Sequence, residues 1–163
     1  MKKNILPSKK YTTFSPEQTK VIARLFSKTL SQSTILCLAG DLGSGKTTFT
    51  QGLLEYFGAQ PPFSSPTFSI IKEYPLLKET NGITFIYHID AYRITSTDIL
   101  NLGWKEMIKK PKTLILIEWP ENIKECLPLE TKSLFFLWKD DVTRIITLPY
   151  NPEKDNVSTI PDK

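Results

Sequence analysis

The feature that most constrains the fold is a glycine-rich segment that directly follows a short apolar run. Residues Gly40–Thr47 satisfy the G-x-x-x-x-G-K-[ST] pattern of a phosphate-binding loop, or P-loop. The preceding run, Thr34–Ala39, is typical of a strand buried on both faces, and Thr47–Phe57 has a helical pattern that ends at Gly58. A strand that enters the loop and a helix that leaves it are the context the motif requires. The segment therefore predicts a phosphate site in an α/β fold.

The residue types of this loop suit a triphosphate chain, which needs many donors and no obstructing side chains. Glycines allow close approach, and the backbone N–H groups form an anion nest with the positive end of the following helix. We expect Lys46 to reach the β- and γ-phosphates, and the Thr47 hydroxyl to hold one magnesium position. The candidate nucleotide-contacting residues are Gly40, Asp41, Leu42, Gly43, Ser44, Gly45, Lys46, Thr47 and Thr48.

Patterns elsewhere indicate a P-loop NTPase-like α/β fold, with a mostly parallel central sheet flanked by helices. Ser15 can cap a helix that runs to about Leu30, with Pro16 in its first turn and Gln18 completing a capping box. Further elements are predicted as strands Thr67–Tyr74, Ile83–Asp90 and Thr113–Trp119, a short helix Thr97–Ile108, and a C-terminal β-hairpin of Ser133–Lys139 and Thr143–Leu148.

Length and composition limit the class of protein. The 163 residues are 40% hydrophobic and 23% charged, which fits one domain over residues 1–150 and a polar tail over residues 151–163. Two cysteines and one histidine exclude a disulfide framework and a histidine-rich metal site, and Cys37 is expected to be a buried thiol. Because no apolar run approaches the roughly 18–20 residues that span a bilayer, we expect a cytoplasmic protein with no membrane partner.

The formal charge of +4 is unevenly distributed along the chain. Residues 1–28 hold seven Lys/Arg and one acid, whereas the remainder holds fourteen Lys/Arg and sixteen acids. A solvated basic face is the simpler interpretation of this N-terminal excess. The alternative is contact with a nucleic acid or an acidic partner surface through Lys2, Lys3, Lys9 and Lys10.

Two acidic residues end predicted strands and are the catalytic candidates besides Lys46. Asp90 and Glu118 should lie at the same sheet edge as the loop, because the carboxyl ends of parallel strands gather there. One would hold magnesium and the other orient water, and their positions in the sequence do not decide which. His88 shares the strand face of Asp90 and is interpreted as a hydrogen-bonded structural histidine. Trp119 is either core packing or a platform beside the site.

The motif alone does not name the reaction, because phosphate loops serve several enzyme classes. A guanine-reading Asn-Lys-x-Asp segment is absent from the sequence, which argues against a GTPase. Only three arginines, Arg24, Arg93 and Arg144, are present, which weakens the interpretation as a small-molecule kinase with an arginine-bearing lid. That kinase and a nucleotide-dependent conformational switch with negligible hydrolysis remain the alternatives.

Five sequence blocks, taken together, resemble the TsaE (YjeE-type) ATPases of bacterial tRNA threonylcarbamoyladenosine biosynthesis. Their order and spacing cover about Ser15 to Leu148, nearly the whole chain. The blocks are Gly40–Phe49, Ser65–Phe68, His88–Arg93, Gly103–Trp104 and Ile117–Pro120.

The resemblance implies a magnesium-dependent ATPase that supports the complex attaching threonylcarbamoyl to an adenosine beside the anticodon. It implies ATP and Mg²⁺ as cofactors, with Thr47 and Glu118 in the magnesium shell and Asp90 and Lys46 in catalysis. The implied partners are the threonylcarbamoyl transferase subunit and its paralogous scaffold subunit, of TsaD and TsaB type, with tRNA engaged indirectly. Hydrolysis by the chain alone should be weak, because no arginine finger is evident in the sequence.

The resemblance also implies roles for residues outside the loop. The Ser-Pro-Thr segment would act as a switch facing the γ-phosphate, so Ser65 and Thr67 are candidates for sensing hydrolysis, and Trp119 belongs to the site with Glu118. The helix start around Glu17 to Thr19 would help to enclose the base, with Thr19 as its candidate contact; simple helix capping is the alternative. Arg144 is a candidate nucleotide contact, or otherwise a solvated strand charge.

Overall fold

The computed structural model describes residues 7–149, so Lys2, Lys3 and the predicted tail over residues 151–163 lie outside the described residues. Seven strands form one sheet in the order β1-β7-β6-β2-β5-β4-β3. The strands are β1 (Ser8–Thr13), β2 (Thr34–Ala39), β3 (Ile71–Thr80), β4 (Ile83–Asp90), β5 (Thr113–Glu118), β6 (Lys132–Trp138) and β7 (Arg144–Pro149). The helices are α1 (Pro16–Ser27), α2 (Lys46–Phe57), α3 (Ser96–Asn101), α4 (Trp104–Lys109) and a 3₁₀ helix (Pro120–Cys126).

The centre of the sheet is parallel and its two edges are antiparallel. Strands β6, β2, β5 and β4 run parallel to one another. Strand β3 pairs antiparallel with β4 at one edge, and β7 and β1 continue antiparallel from β6 at the other. The predicted α/β class and the C-terminal hairpin, now β6 and β7, are confirmed.

Helices cover both faces of the sheet, and alternation along the buried strands sorts the core into two clusters. Leu36 and Leu38 of β2 belong to the cluster that contains α1 and α2, whereas Cys37 between them belongs to the cluster that contains α3 and α4. Cys37 is buried, as expected, and burial raises the pKa of its thiol to about 12.

Strand register places the two predicted acids side by side. Asp90, the last residue of β4, pairs in register with Glu118, the last residue of β5. Both share strand parity with apolar residues of the α1/α2 cluster, Ile86 on β4 and Leu116 on β5. The two carboxylates therefore lie at the carboxyl edge of the sheet, on the face that carries α2.

The prediction that a strand begins at Thr67 is wrong, because β3 begins at Ile71 and extends to Thr80. The Pro66 carbonyl accepts a hydrogen bond of 2.6 Å from the Ile70 backbone N–H, which closes a turn ahead of the strand. Ile70 adopts φ +65°, a conformation incompatible with an extended strand. The turn frees Thr67 to contact the site.

The single helix predicted over Thr97–Ile108 is instead two short helices, α3 and α4. Gly103 lies between them with φ +89°, a left-handed conformation that interrupts the helix and that glycine adopts at little cost. Thr95 caps α3 through a capping box with Asp98.

The N-terminal region departs from its prediction in two respects. Helix α1 ends at Ser27 rather than near Leu30, and β1 was not predicted from the sequence. The Ser15 cap is confirmed, since its hydroxyl accepts from the Gln18 N–H, but the Gln18 side chain accepts from the Phe14 N–H instead of closing the box on Ser15. None of the helices within residues 7–149 combines the length and apolar character that a membrane crossing requires.

Candidate functional site

The segment between β2 and α2 has the backbone of a loop built for close approach. Gly40 adopts φ +150°, and a Cβ at this position would lie 2.2 Å from the Phe136 carbonyl oxygen, so only glycine fits. The Ser44 N–H donates to the Asp41 carbonyl, and α2 begins at Lys46 without a side-chain cap. The uncapped N–H groups at the start of α2 can donate hydrogen bonds to an anion.

Lys46 is almost entirely buried, with 5% of its surface exposed. Its ammonium donates to the carbonyl oxygens of Gly40, at 2.6 Å, and Asp41, at 2.9 Å. It also lies 4.1 Å from the ring centroid of Trp119. Burial lowers the pKa of Lys46, while the nearby Glu118 carboxylate acts in the opposite direction. Its direct partners within residues 7–149 are carbonyl oxygens and a ring, so no carboxylate of that range neutralises its positive charge by direct contact.

Glu118 joins the loop to the sheet interior. The Thr47 hydroxyl lies 3.1 Å from each of its carboxylate oxygens, and His88 Nε2 lies 2.9 Å from Oε1. Glu118 and His88 are 3% and 1% exposed. The interpretation of His88 as a hydrogen-bonded histidine is confirmed, with Glu118 as its partner.

Asp90 is held by a different set of donors. Its Oδ2 accepts from the hydroxyls of Ser65, at 2.9 Å, and Thr67, at 2.7 Å. Its Oδ1 accepts from the backbone N–H of Tyr92 at 3.0 Å. The Ser65 and Thr67 hydroxyls also lie 2.8 Å apart. The Ser65–Thr67 segment is therefore hydrogen-bonded to Asp90 through two side-chain hydroxyls.

A cavity of about 450 Å³ brings most of the predicted residues together. It opens between the loop and the carboxyl edge of the sheet, where both acids lie. Its lining includes Lys46, Thr47, Thr48, Ser65, Thr67, Asp90, Glu118 and Trp119, together with Leu42, Gly43, Gly45, Tyr92 and Arg93.

A second cavity of about 240 Å³ adjoins the first across the loop. Both cavities are lined by Gly43, Gly45 and Thr48, and the second also contains the predicted Thr19 and Arg144. The Thr19 hydroxyl lies 2.9 Å from that of Thr13, and Arg144 Nε donates to the Gly43 carbonyl at 2.8 Å. Thr19 and Arg144 thus lie beside the loop and away from the two acids.

Some predicted residues lie outside these two cavities. Gly40, Asp41 and Ser44 shape the loop without lining either cavity. Glu17 also lines neither, and it forms an exposed ion pair of 2.6 Å with Arg24. In the stretch around Glu17 to Thr19, Thr19 is thus the residue that faces the loop.

Sequence reasoning assigned no role to Tyr92, Arg93 or Phe14, which line the two cavities. The Tyr92 ring packs against Trp119 with 4.9 Å between centroids, and the Arg93 guanidinium lies 5.3 Å from the ring centroid of Phe68. The sequence contains a signal for Tyr92 and Arg93, because both lie within three residues of the strand-end Asp90. Phe14 offered no such signal, since it precedes a helix cap in an otherwise ordinary polar stretch.

The oxygen ligands at Thr47 and Glu118 fit a magnesium ion. Mg²⁺ prefers hydroxyl, carboxylate and phosphate oxygens, and proteins usually supply only one or two of its ligands. Within residues 7–149 there is no group of three or more His, Cys, Asp or Glu side chains that could form a protein-only metal cage. The residues present therefore suit a metal that binds together with phosphate rather than alone.

Known proteins resemble this chain over most of its length. Residues 13–146 match the family model described as "Threonylcarbamoyl adenosine biosynthesis protein TsaE". The tRNA threonylcarbamoyladenosine biosynthesis protein TsaE of Bacillus subtilis is 39% identical over 138 residues, 85% of this chain and 83% of that protein. The protein of the same name from Rickettsia bellii is 38% identical over 136 residues, 82% of this chain and 90% of that protein.

A solved structure shares the same fold. The crystal structure of Bacillus subtilis YdiB superposes with a TM-score of 0.73 at 33% sequence identity, and the match covers 94% of this chain and 93% of that one. Together with the family match across residues 13–146, this shows that the chain belongs to the TsaE family of threonylcarbamoyl adenosine biosynthesis proteins.

Proposed function

We propose that the protein is a magnesium-dependent ATPase that supports tRNA threonylcarbamoyladenosine biosynthesis. The observation that carries the proposal is the joining of the glycine loop to Glu118 through Thr47, beside a buried Lys46 ammonium that contacts only carbonyl oxygens and a ring among the described residues. A triphosphate supplies the negative charge that this arrangement lacks. The family membership supports the pathway, because the relatives' names place them in it.

The larger cavity is proposed to hold the phosphate chain. The N–H groups of the loop and of the first turn of α2 would bind phosphate oxygens, and Lys46 would leave the Gly40 and Asp41 carbonyls to bind the β- and γ-phosphates. Trp119, which lies against the Lys46 ammonium, would keep water from one side of this contact.

Thr47 and Glu118 are proposed to hold the magnesium ion, and Asp90 to act at the γ-phosphate. When bound, Mg²⁺ supplies positive charge that neutralises the phosphate oxygens. Asp90 lies on the neighbouring strand and accepts hydrogen bonds from the hydroxyls of Ser65 and Thr67. It is therefore suited to orient water, and the two hydroxyls are suited to sense the γ-phosphate. Its position at the cavity wall supports this division of roles.

The smaller cavity is proposed to receive the nucleoside end of ATP, because it adjoins the first across the loop. Thr19 and Arg144 line it, and Arg144 is already hydrogen-bonded to the loop at Gly43. The Phe14 ring, half exposed at its entrance, offers an apolar face to a base.

Turnover by the chain alone is proposed to be slow and to need protein partners. Arg144 donates to the Gly43 carbonyl, and the Arg93 guanidinium lies against the Phe68 ring, so both arginines beside the cavities already have contacts within the chain. The proposed partners are the threonylcarbamoyl transferase subunit and its paralogous scaffold subunit, of TsaD and TsaB type. We propose that tRNA is engaged through them and that the complex works in the cytoplasm.

The test is ATP turnover by the purified chain, measured with and without these partner subunits and tRNA. We expect Mg²⁺-dependent release of ADP and phosphate, and we expect the partners to stimulate it. Lys46→Ala should lose both the basal and the stimulated turnover. Lys20→Ala is the matched control, because it removes an ion-paired lysine on the surface of α1. A phosphorylated acceptor would identify a small-molecule kinase instead. Full support of tRNA modification without any hydrolysis would identify a conformational switch.

A further inference from the structure

We propose that His88 is a positioning residue that fixes the Glu118 carboxylate for its contact with Thr47. The inference rests on the proposed function, since it concerns the metal-side acid of that site. It is carried by the geometry of three side chains that come from α2, β4 and β5. His88 itself lies beneath the cavity and does not line it, so it would act through Glu118.

Glu118 Oε1 is approached from two sides. His88 Nε2 lies 2.9 Å from it, and Thr47 Oγ1 lies 3.1 Å from both Oε1 and Oε2. His88 is 1% exposed and its neighbours on β4, Tyr87 and Ile89, are buried, so the imidazole is packed in place. A carboxylate held by a rigid ring at one oxygen has lost its freedom to rotate.

The buried surroundings decide which nitrogen of His88 carries the proton. Nδ1 is buried and has no hydrogen-bond partner within the part of the chain that the structure describes. A proton there would be a buried donor without an acceptor, which is costly, whereas a bare Nδ1 loses less. The proton therefore belongs on Nε2, where the Glu118 carboxylate accepts it.

An N–H at this position fixes one oxygen of Glu118 from behind. The carboxylate is thereby oriented toward Thr47 and the cavity. Outer partners of metal-site ligands commonly change metal affinity or activity by about 10–100-fold when they are removed. The Mg²⁺ requirement of the protein should therefore depend on an N–H at the Nε2 position.

Two amide substitutions separate this role from simple packing. In His88→Gln the amide nitrogen can occupy the position of Nε2 and donate to Glu118. In His88→Asn the shorter side chain places its amide near the position of Nδ1 and cannot reach the carboxylate. Both variants are neutral and polar, so they share the cost of replacing a buried ring.

The first measurement is the Mg²⁺ concentration at half-maximal ATP turnover, in the presence of the partner subunits and tRNA. We expect His88→Asn to raise this midpoint about tenfold or more, and His88→Gln to keep it within about threefold of the unmodified protein. Equal midpoints in all three proteins, or an equal rise in both variants, would overturn the inference. Thermal unfolding of each variant shows whether it is folded.

The second measurement needs neither nucleotide nor a variant. His88 is the only histidine of the chain, so ¹⁵N–¹H correlation spectra of the untagged protein report on its ring alone. We expect a proton on Nε2, in agreement with donation to Glu118. An Nε2 without a proton would contradict the inference even if both variants failed to fold. Absence of Mg²⁺-dependent turnover in the unmodified protein would count against the proposed function. The spectrum would still test whether His88 Nε2 carries the proton that the positioning role requires.

Discussion

Asp90 and Glu118 end neighbouring parallel strands, pair in register, and are both nearly buried, yet they are held in different ways. Glu118 is hydrogen-bonded to Thr47 in the first turn of α2 and to His88 on β4. Asp90 is bonded to two hydroxyls of the segment between α2 and β3, and to a backbone N–H two residues further along its own chain.

The comparison shows that two acids in equivalent places on the sheet have different hydrogen-bond partners, and we propose that these partners set the role of each acid. Glu118 is tied to regular elements on both sides, so it is suited to hold a fixed ligand such as a metal. Asp90 is tied to a connecting segment, so a change at the γ-phosphate can reach that segment through its hydrogen bonds. A hydrogen bond to a charged group contributes about 1.5–3 kcal/mol to stability, which is enough to couple the Ser-Pro-Thr segment to Asp90.

The largest expected effect comes from removing the carboxylate tied to α2 and β4. Glu118→Ala should lower partner-stimulated ATP turnover about 100-fold or more, because the Thr47 hydroxyl and the His88 N–H both lose their acceptor. Turnover at saturating ATP and Mg²⁺ is the measurement. Glu121→Ala is the matched control, since Glu121 is a nearby exposed acid of the 3₁₀ helix. An unchanged rate in Glu118→Ala would contradict the metal-side role.

A smaller effect is expected at the other acid. Asp90→Asn should lower turnover about tenfold, because its amide N–H₂ would oppose one of the two hydroxyls that now donate to Oδ2. Binding of ADP, measured by titration calorimetry, should change little, since the loop and Lys46 remain. A large loss of ADP affinity with an unchanged rate would place Asp90 in nucleotide binding rather than in hydrolysis.

The hydroxyls that fasten the segment to Asp90 should matter less than the acid itself. Ser65→Ala and Thr67→Val each remove one donor, and each should lower turnover about fivefold, the equivalent of about 1 kcal/mol. The two effects should not add in the double variant, because both donors share Oδ2. Rates of the single and double variants test this, and strict additivity would show that the two hydroxyls act independently.

The smallest expected signal is spectroscopic and lies on the Glu118 side. Trp119 follows Glu118 and its ring lies 4.1 Å from the Lys46 ammonium, so movement of Lys46 onto phosphate should alter its emission. We expect ADP to change tryptophan fluorescence by a modest fraction in the unmodified protein and in Trp138→Phe. The change should disappear in Trp119→Phe. Persistence of the full change in Trp119→Phe would show that the signal arises elsewhere.

Local patterns were sufficient to predict the glycine loop, its flanking elements and the two strand-end acids. Three adjacent signals agree with one another: the apolar run, the Gly40–Thr47 motif and the helical pattern after it. Because they agree, tertiary packing does not change the secondary structure that they predict. Asp90 and Glu118 followed from a general rule about parallel strands.

Interactions between distant segments could not be predicted in the same way. The turn at Pro66–Ile70 displaced the start of β3, and it depends on contacts to Asp90 that lie far along the sequence. The bond between His88 and Glu118 spans 30 residues and requires the β4/β5 register. The β3–β4 hairpin, by contrast, has a local signal in its connecting Asn81-Gly82, a pair typical of two-residue hairpin turns.

The division of roles between the two acids is tested most directly by Mg²⁺ titrations of ATP turnover in Glu118→Gln and Asp90→Asn, with partner subunits and tRNA present. We predict that Glu118→Gln raises the Mg²⁺ midpoint about tenfold or more. Asp90→Asn should lower the plateau rate while its midpoint stays within about threefold of the unmodified protein. A raised midpoint in Asp90→Asn together with an unchanged midpoint in Glu118→Gln would contradict the assignment.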